Sequence, residues 1–144
     1  MCERSPLPTP VLVVVVKDHG AVVGWPVVIP GEPPLVGVPL HKSRKTLELI
    51  RAEKVFSLNL VKDAERAYEI FGKPGADKLS RWGAAARCKT LNCVALGDAS
   101  RVVECLYERE VEVGEHVVVF CKAVDYYGCG EYAMWDPCRR RQVG

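Results

Sequence analysis

The chain has 144 residues, of which 49% are hydrophobic, and its 20 basic and 18 acidic side chains leave a formal charge of +2. This composition suits one domain with a substantial core, and a nearly neutral chain has no strong field to attract nucleic acid or an anionic membrane. The N-terminus lacks a secretory signal pattern, and the longest aliphatic run, 11–16, is too short to span a bilayer. We therefore expect a cytoplasmic protein.

The first half of the chain alternates β-branched segments with turns. Strands are expected at 11–17, 21–29 and 35–40. Asp18-His19-Gly20 is typical of a hairpin turn, in which His19 would be exposed, and the proline-rich segment after the second strand predicts a wider turn.

Helices then interrupt the β pattern. A serine followed by apolar residues at helical spacing predicts a short helix over 43–54, and 55–60 returns to strand composition with Asn59 on its polar face. A second helix is expected at 63–72, between an aspartate N-cap and a glycine stop, and a third at 77–82.

The second half is again rich in β patterns. Apolar residues alternate with glutamates, among them Glu104, over 103–113, which predicts a long antiparallel strand with one solvated face. A Gly-Glu turn leads into a nearly all-apolar strand at 116–124. The tail from 125 shows no period, and we expect a packed loop ending in a solvated run of arginines.

Most of these strands are joined by hairpin-length turns, and the helices are inserted between β regions. This order does not fit regular βαβ repetition. The sequence predicts a mainly β fold, an antiparallel barrel with peripheral helices.

The seven cysteines contain no C-x-x-C pair, so their spacing does not favour a zinc or iron–sulfur centre. Amide side chains are limited to Asn59, Asn92 and Gln142, a scarcity that resembles proteins from hot environments, where cytosolic disulfides occur. The first pair to expect is then Cys129 with Cys138. The alternative is that the cysteines are buried or inert free thiols.

The segment 41–46, His-Lys-Ser-Arg-Lys-Thr, carries the most informative chemistry. A strand delivers hydroxyls and cations to a helix start, where exposed N–H groups and the helix dipole favour an anion. Ser43 and Thr46 can donate hydrogen bonds, and Arg44 or Lys45 can neutralise a phosphate. The alternative is a serine N-cap followed by solvated charges.

With Pro33-Pro34-Leu35-Val36 before it and Phe56-Ser57-Leu58-Asn59-Leu60 after it, this segment resembles the flavin reductase-like family of FMN-binding split β-barrels. Val-Glu-Cys-Leu around Cys105 and Gly114-Glu115-His116-Val117 are also similar to that family. The resemblance implies one flavin reductase-like FMN-binding domain over 1–144.

Within this domain, 1–9 would be an N-terminal extension and 129–144 a short tail. The resemblance further implies a homodimer with FMN near the subunit interface, its phosphate at Ser43, Arg44, Lys45 and Thr46. The expected activity is that of an NAD(P)H:flavin reductase, with NADH or NADPH as electron donor. The alternative is a flavoredoxin-like electron-transfer protein without nicotinamide activity, and a third interpretation is a barrel that has lost flavin and serves a structural role.

One segment departs from the family pattern. The strand that lines the flavin often has a Thr-Ala-Ser-Trp run, whereas this chain has Val23-Gly24-Trp25-Pro26. The N–H groups of Gly24 and Trp25 could still meet the ring, but the hydroxyls are missing and Pro26 removes a donor. The Trp25 indole would either stack on the flavin or pack in the dimer interface.

The remaining candidate residues each have two interpretations. Asn59 could bind the flavin or make a structural hydrogen bond to a neighbouring turn. His116 could donate to the flavin or steer a hydride donor, or it could cap a hairpin. His41 is expected only to orient the phosphate loop, and Cys105 is expected in the core. Neither His19 nor His41 has a Cys or carboxylate partner at metal-ligand spacing, so no metal site is expected.

Overall fold

The structure of the protein is a computed structural model that describes residues 5–143. The first four residues of the predicted extension, with Cys2, and Gly144 of the predicted tail lie outside the described residues. In chain order the elements are β1 (Thr9–Pro10), β2 (Leu12–Val16), β3 (His19–Val23), β4 (Val27–Ile29), β5 (Leu35–His41), α1 (Lys45–Glu53), β6 (Val55–Leu60), α2 (Ala64–Phe71), α3 (Lys78–Trp82), β7 (Ala85–Arg87), β8 (Val94–Leu96), β9 (Arg101–Val113), β10 (His116–Tyr127), β11 (Met134–Asp136) and β12 (Arg141–Val143).

Seven strands form one antiparallel sheet in the order β3-β2-β6-β9-β10-β5-β4. The long β9–β10 hairpin contains two register shifts, at Phe120/Cys121 and Ala123/Asp125, and such bulges bend and twist a strand. The predicted mainly β, antiparallel architecture with few helices is confirmed. The edge strands β3 and β4 follow one another in the chain, and no ladder joins them in the part of the chain that the structure describes.

The valine-rich strand β2 is buried along its whole length because apolar clusters lie on both of its faces. Val14 and Val16 belong to the cluster enclosed by the sheet. Val13 and Val15 belong to a second cluster, which α2 and α3 cover from outside. A strand buried on both faces has no reason to alternate, which explains its unbroken apolar run.

The predicted strand at 21–29 is two strands, separated by Gly24-Trp25-Pro26. Trp25 has a φ of +50°, in the left-handed region that residues with side chains rarely adopt, and Pro26 has no N–H for a ladder. The chain therefore leaves one edge of the sheet here and enters the other as β4. The three helices are present, each within two residues of its predicted bounds.

The tail is more ordered than predicted, because β11 and β12 pair with β1 in a three-stranded sheet. Trp135 packs on Tyr68 of α2 with ring centroids 4.6 Å apart. Gln142 Oε1 accepts a hydrogen bond from the N–H of Ala64, at 2.9 Å, where α2 begins. These contacts join residues distant in sequence, so no local period indicates them.

The cysteine pairing also differs from the prediction. Disulfides join Cys88 to Cys93 and Cys105 to Cys121. Cys129 is an exposed free thiol, so the predicted Cys129–Cys138 pair is wrong. Cys105 is fully buried in the sheet-enclosed core, as expected, and its disulfide links β9 to β10.

Glu104 also differs from the prediction. It is predicted on a solvated face, but its side chain is 0% exposed. Its carboxylate accepts hydrogen bonds from the N–H groups of Lys89, Thr90 and Leu91 at 2.7–2.9 Å, and from the Tyr127 hydroxyl at 2.8 Å. Burial alone would raise the pKa of Glu104, but these four donors outweigh it and lower the pKa. A carboxylate held in this way is structural.

Candidate functional site

Two adjoining cavities open beside the start of α1. The first, called here the basic cavity, has a volume of about 500 Å³. Four cations and two hydroxyl groups contribute to its lining: Arg44, Lys45, Lys73, Lys78, Ser43 and Thr46. None of the described residues that line it carries a carboxylate. The predicted segment 43–46 thus lies together at one site whose chemistry suits an anion.

The helix start itself supports this interpretation. Arg44 occupies the N-cap position of α1 in an extended conformation and makes no side-chain cap hydrogen bond. The Ser43 hydroxyl instead lies 2.8 Å from His41 Nδ1, so the alternative of a serine N-cap is wrong, and His41 orients this hydroxyl. The first-turn N–H groups of α1 therefore have no capping side chain, and the positive end of the helix dipole faces the cavity.

His19 is part of this cavity, contrary to its predicted place in an exposed turn. It is half-buried at the start of β3, and its Nε2 lies 3.0 Å from Thr46 Oγ1. Burial, followed by the charges of Lys78 and Lys45, lowers the pKa of His19, so the ring is mainly neutral at pH 7. It can hold the Thr46 hydroxyl in one orientation.

Lys78 is the other residue that sequence reasoning missed. It begins α3, is 7% exposed, and its Nζ lies 3.4 Å from the Gly20 carbonyl oxygen. Burial and the nearby Arg44 and Arg81 lower its pKa. A nearly buried ammonium group crowded by other cations gains most from a bound anion. Only the packing of α3 on β3 brings it here, so spacing along the chain could not have found it.

The second cavity, called here the aromatic cavity, has a volume of about 680 Å³ and includes Gly24 and Trp25. His41, Tyr68 and His116 complete its aromatic lining. His116 stands edge-on to His41, 5.4 Å between ring centroids, at the start of β10. Gly24, Trp25 and His116, predicted separately, are therefore brought to one cavity.

Arg44 lines both cavities and so connects them. One guanidinium nitrogen donates to the Val22 carbonyl oxygen at 2.8 Å, which fixes the side chain against β3. Burial lowers the pKa of Arg44, an effect that Tyr68 partly offsets. The remaining donors of this guanidinium are suited to a ligand that extends from one cavity into the other.

The backbone at Trp25 is not free to meet a ligand. Its N–H donates to Thr9 Oγ1 at 2.6 Å, and its indole Nε1 donates to the Leu7 carbonyl oxygen at 2.9 Å. A flavin could therefore meet the Trp25 N–H only after this bond to Thr9 breaks. The indole side chain, 42% exposed, is what Trp25 offers to the aromatic cavity.

Asn59 does not belong to either cavity, because it is fully buried under β8. Its amide nitrogen donates to the Val13 carbonyl oxygen and to Ser57 Oγ, and its amide oxygen accepts from the Leu96 N–H, each at 3.0 Å. Of its two interpretations, the structural hydrogen bond is the one present. A flavin contact would require these bonds to break.

Comparison with known proteins places this architecture in a family. The model of the flavin reductase like domain matches residues 4–141. This chain therefore belongs to the flavin reductase-like family. No curated protein matches the chain in sequence.

Solved structures of known proteins share the fold. Flavoredoxin from Methanosarcina acetivorans superposes with a TM-score of 0.82 at 16% identity, covering 95% of this chain and 86% of that one. An NADH:FAD oxidoreductase from Streptomyces globisporus, in complex with NAD and FAD fragments, gives 0.85 at 19% identity, covering 96% and 87%. An FMN-binding protein from Thermus thermophilus gives 0.77 at 17% identity, covering 92% and 88%.

Proposed function

We propose that this protein binds FMN, with the phosphate in the basic cavity and the isoalloxazine ring in the aromatic cavity, and works as an FMN-dependent oxidoreductase of the flavin reductase type. The observation that carries this proposal is the uncapped start of α1 among four cations and two hydroxyls, joined through Arg44 to a cavity with aromatic walls. The lining fits a phosphate at one end and a flat aromatic ring at the other.

At the phosphate end, Lys45 and Lys78 balance the negative charge. Thr46 donates a hydrogen bond when His19 Nε2 carries the ring proton, and Ser43 donates once its hydroxyl turns from His41 Nδ1, which also accepts the Ser43 N–H. His19 and His41 hold the two hydroxyls from behind. Because these groups are already positioned, ordering them costs little when the ligand arrives.

At the ring end, Trp25, Tyr68 and His116 supply surfaces on which a flat ring can stack and which exclude water. FMN, when bound, supplies the hydride and electron transfer, and the protein contributes binding and orientation. No side chain need act as an acid or a base in this chemistry, and NADH or NADPH is the proposed electron donor.

The visible absorption spectrum of the purified protein tests this proposal, before and after adding FMN and removing the excess by gel filtration. Retained bands of oxidised flavin are expected. A protein that stays colourless after loading would show that the barrel has lost its flavin and serves another role.

A flavoredoxin-like electron carrier is the second candidate, and the occupied N–H of Trp25 favours it, because one polar contact to the ring is lost. Anaerobic mixing of the flavin-loaded protein with NADH or NADPH separates the two. Fast bleaching of the flavin supports the reductase, whereas bleaching only by a reduced protein partner supports the carrier.

We further propose that the protein is a homodimer that uses β4. All three residues of this edge strand, Val27, Val28 and Ile29, are apolar and 44–59% exposed. An exposed apolar edge strand is normally covered, and a second copy of this chain would bury it beside the aromatic cavity. Light scattering should give the mass of a dimer, and Val28→Glu should give a monomer; a monomeric parent protein would disprove the idea.

A further inference from the structure

The two disulfides whose partners are described differ sharply in access. Both Cys105 and Cys121 are 0% exposed inside the sheet-enclosed core. Cys88 is half-buried in the surface loop between β7 and β8, and its partner Cys93, 8% exposed, lines a surface cavity of about 400 Å³. Thiol–disulfide exchange requires a thiolate to reach a sulfur atom, so the loop disulfide is the accessible one.

The loop closed by this disulfide, 88–93, holds the buried carboxylate of Glu104. Its three central N–H groups, from Lys89, Thr90 and Leu91, all donate to that carboxylate. A backbone hydrogen bond from the Cys88 N–H to the Cys93 carbonyl oxygen, at 2.9 Å, also closes the loop. The disulfide therefore keeps a three-donor cradle in shape.

The charges around the disulfide favour one class of reductant. Arg87 and Lys89 flank Cys88 in sequence; the first donates to Asn92 Oδ1 at 2.8 Å, and the second lies 4.2 Å above the Tyr127 ring. These cations attract an incoming thiolate, and Asp18 and Glu53, which line the cavity at Cys93, offset part of that attraction. An oxygen of Glu104 lies within 4.8 Å of both sulfur atoms, and its negative charge would repel a released thiolate. A monothiol adduct would revert, because the neighbouring Cys93 displaces it, so a dithiol is needed to complete reduction.

We propose that Cys88–Cys93 is a thiol–disulfide exchange site for a dithiol reductant, and that reduction releases the 88–93 loop from Glu104. A reductant thiolate bonds to Cys88 Sγ as the Cys88–Cys93 bond breaks, and Cys93 leaves as a thiolate that takes a proton. The second reductant thiol then loses its proton and bonds to the first reductant sulfur, and Cys88 leaves as a thiolate that takes a proton. Two electrons pass to the protein, and the reductant ends as a disulfide.

A metal ion at the same residues is the competing interpretation, since the two sulfurs and a Glu104 oxygen lie within reach of one ion. The four hydrogen bonds that Glu104 accepts already fill the acceptor positions of its two oxygens. A bound ion would have to displace them, which favours exchange over coordination.

The test treats the native protein, without denaturant, with dithiothreitol or with reduced thioredoxin, then alkylates it with iodoacetamide and maps the labelled peptides. Cys88 and Cys93 should be labelled together, at least about tenfold faster than Cys105 and Cys121, which need an opening of the core to react. Cys129 should be labelled even without reductant, and Cys129→Ser should leave the pattern of the other four unchanged.

The two reductants distinguish the source of the dithiol. Faster reaction with thioredoxin indicates a protein partner, and reaction with dithiothreitol alone indicates a small molecule. Resistance of Cys88–Cys93 to both, or equal labelling of the buried pair, overturns the exchange site.

Hydrogen exchange tests the structural consequence. The N–H groups of Lys89, Thr90 and Leu91 should exchange at least about tenfold faster after reduction, since the released loop no longer holds these donors against Glu104. Unchanged exchange would show that reduction leaves the cradle intact and would overturn the release. Sulfur-to-cobalt absorption on adding Co²⁺ to the reduced protein would replace the exchange site with a metal site.

Discussion

Two groups of polar residues in this protein are used in opposite ways. The basic cavity gathers hydroxyls and ammonium groups along the wall of an open space beside α1, where Thr46 and Lys78 are 2% and 7% exposed. In the inner polar layer, which consists of Ser57, Asn59 and Glu104, all three residues are 0% exposed and bonded to neighbouring backbone. In the described residues, no buried side-chain nitrogen or oxygen lacks a hydrogen-bond partner.

The difference shows how to separate a binding residue from an architectural one. A polar group whose hydrogen bonds are complete within the protein can accept a ligand only after losing one of them, which costs about 1–3 kcal/mol. A group beside a cavity meets water and can exchange it for a ligand. Changes in the inner polar layer should therefore lower stability, and changes in the basic cavity should lower ligand affinity.

The largest effect is expected for Glu104→Gln. The new amide NH₂ would face N–H donors, leaving buried donors without acceptors, and the free energy of unfolding should fall by about 3 kcal/mol. Chemical denaturation measures this value. Glu108→Gln, at an exposed position of the same strand, is the matched control and should change stability by less than about 0.5 kcal/mol. Equal losses for the two variants would contradict the assignment of Glu104.

Low pH should also distinguish the parent protein from Glu104→Gln by their stability. Because folding lowers the pKa of Glu104, its contribution is fully present above the ordinary carboxyl value of 4.5 and is lost as pH falls through the folded-state pKa. As the pH is lowered below about 5, the free energy of unfolding should fall more steeply for the parent protein than for Glu104→Gln. The pKa of Tyr127, raised to about 12 by burial and by its bond to Glu104, leaves that partner protonated throughout this range.

A smaller loss, about 2 kcal/mol, is expected for Asn59→Ala, which leaves the buried Leu96 N–H without its acceptor and removes one donor from the Val13 carbonyl. Affinity for FMN should change little, because Asn59 borders neither cavity. Denaturation and flavin titration on the same sample check both parts. Asn92→Ala, in an exposed loop, is the control. A selective loss of FMN binding would return Asn59 to the candidate site.

The basic cavity should show the reverse behaviour. Ser43→Ala with Thr46→Ala should weaken FMN binding roughly tenfold or more and riboflavin binding little, because only FMN carries the phosphate. Fluorescence titration with both flavins measures the ratio, and Ser80→Ala, an exposed hydroxyl outside the cavity, is the control. Equal weakening of the two flavins would rule out the phosphate assignment.

The smallest effect is expected at the aromatic cavity. Trp25→Phe retains a ring surface but loses the indole N–H that donates to the Leu7 carbonyl oxygen. The affinities for FMN and for riboflavin should fall equally, by roughly threefold. This corresponds to a fraction of the free energy of one hydrogen bond. Stronger weakening of FMN than of riboflavin would show that Trp25 acts on the phosphate end instead.

Much of the fold followed from local pattern. The valine run, the Asp63 N-cap, whose side chain accepts from the Arg66 N–H, and the β9–β10 hairpin each depend on neighbours in sequence. The strands β1, β11 and β12 did not follow, because two- and three-residue strands paired across the whole chain have no period of their own.

The sequence by itself determined a mainly β chain, its family resemblance, and the hydroxyls and cations at 43–46, because these depend on adjacent residues. Only the tertiary structure decided that Lys78 and His19 lie beside that segment. It also decided that Glu104 and Asn59 are buried and hydrogen-bonded within the protein, and that Cys88 pairs with Cys93. The physical reason is that a polar side chain has the same chemistry wherever it stands, and only packing determines whether its partner is the protein itself or a ligand.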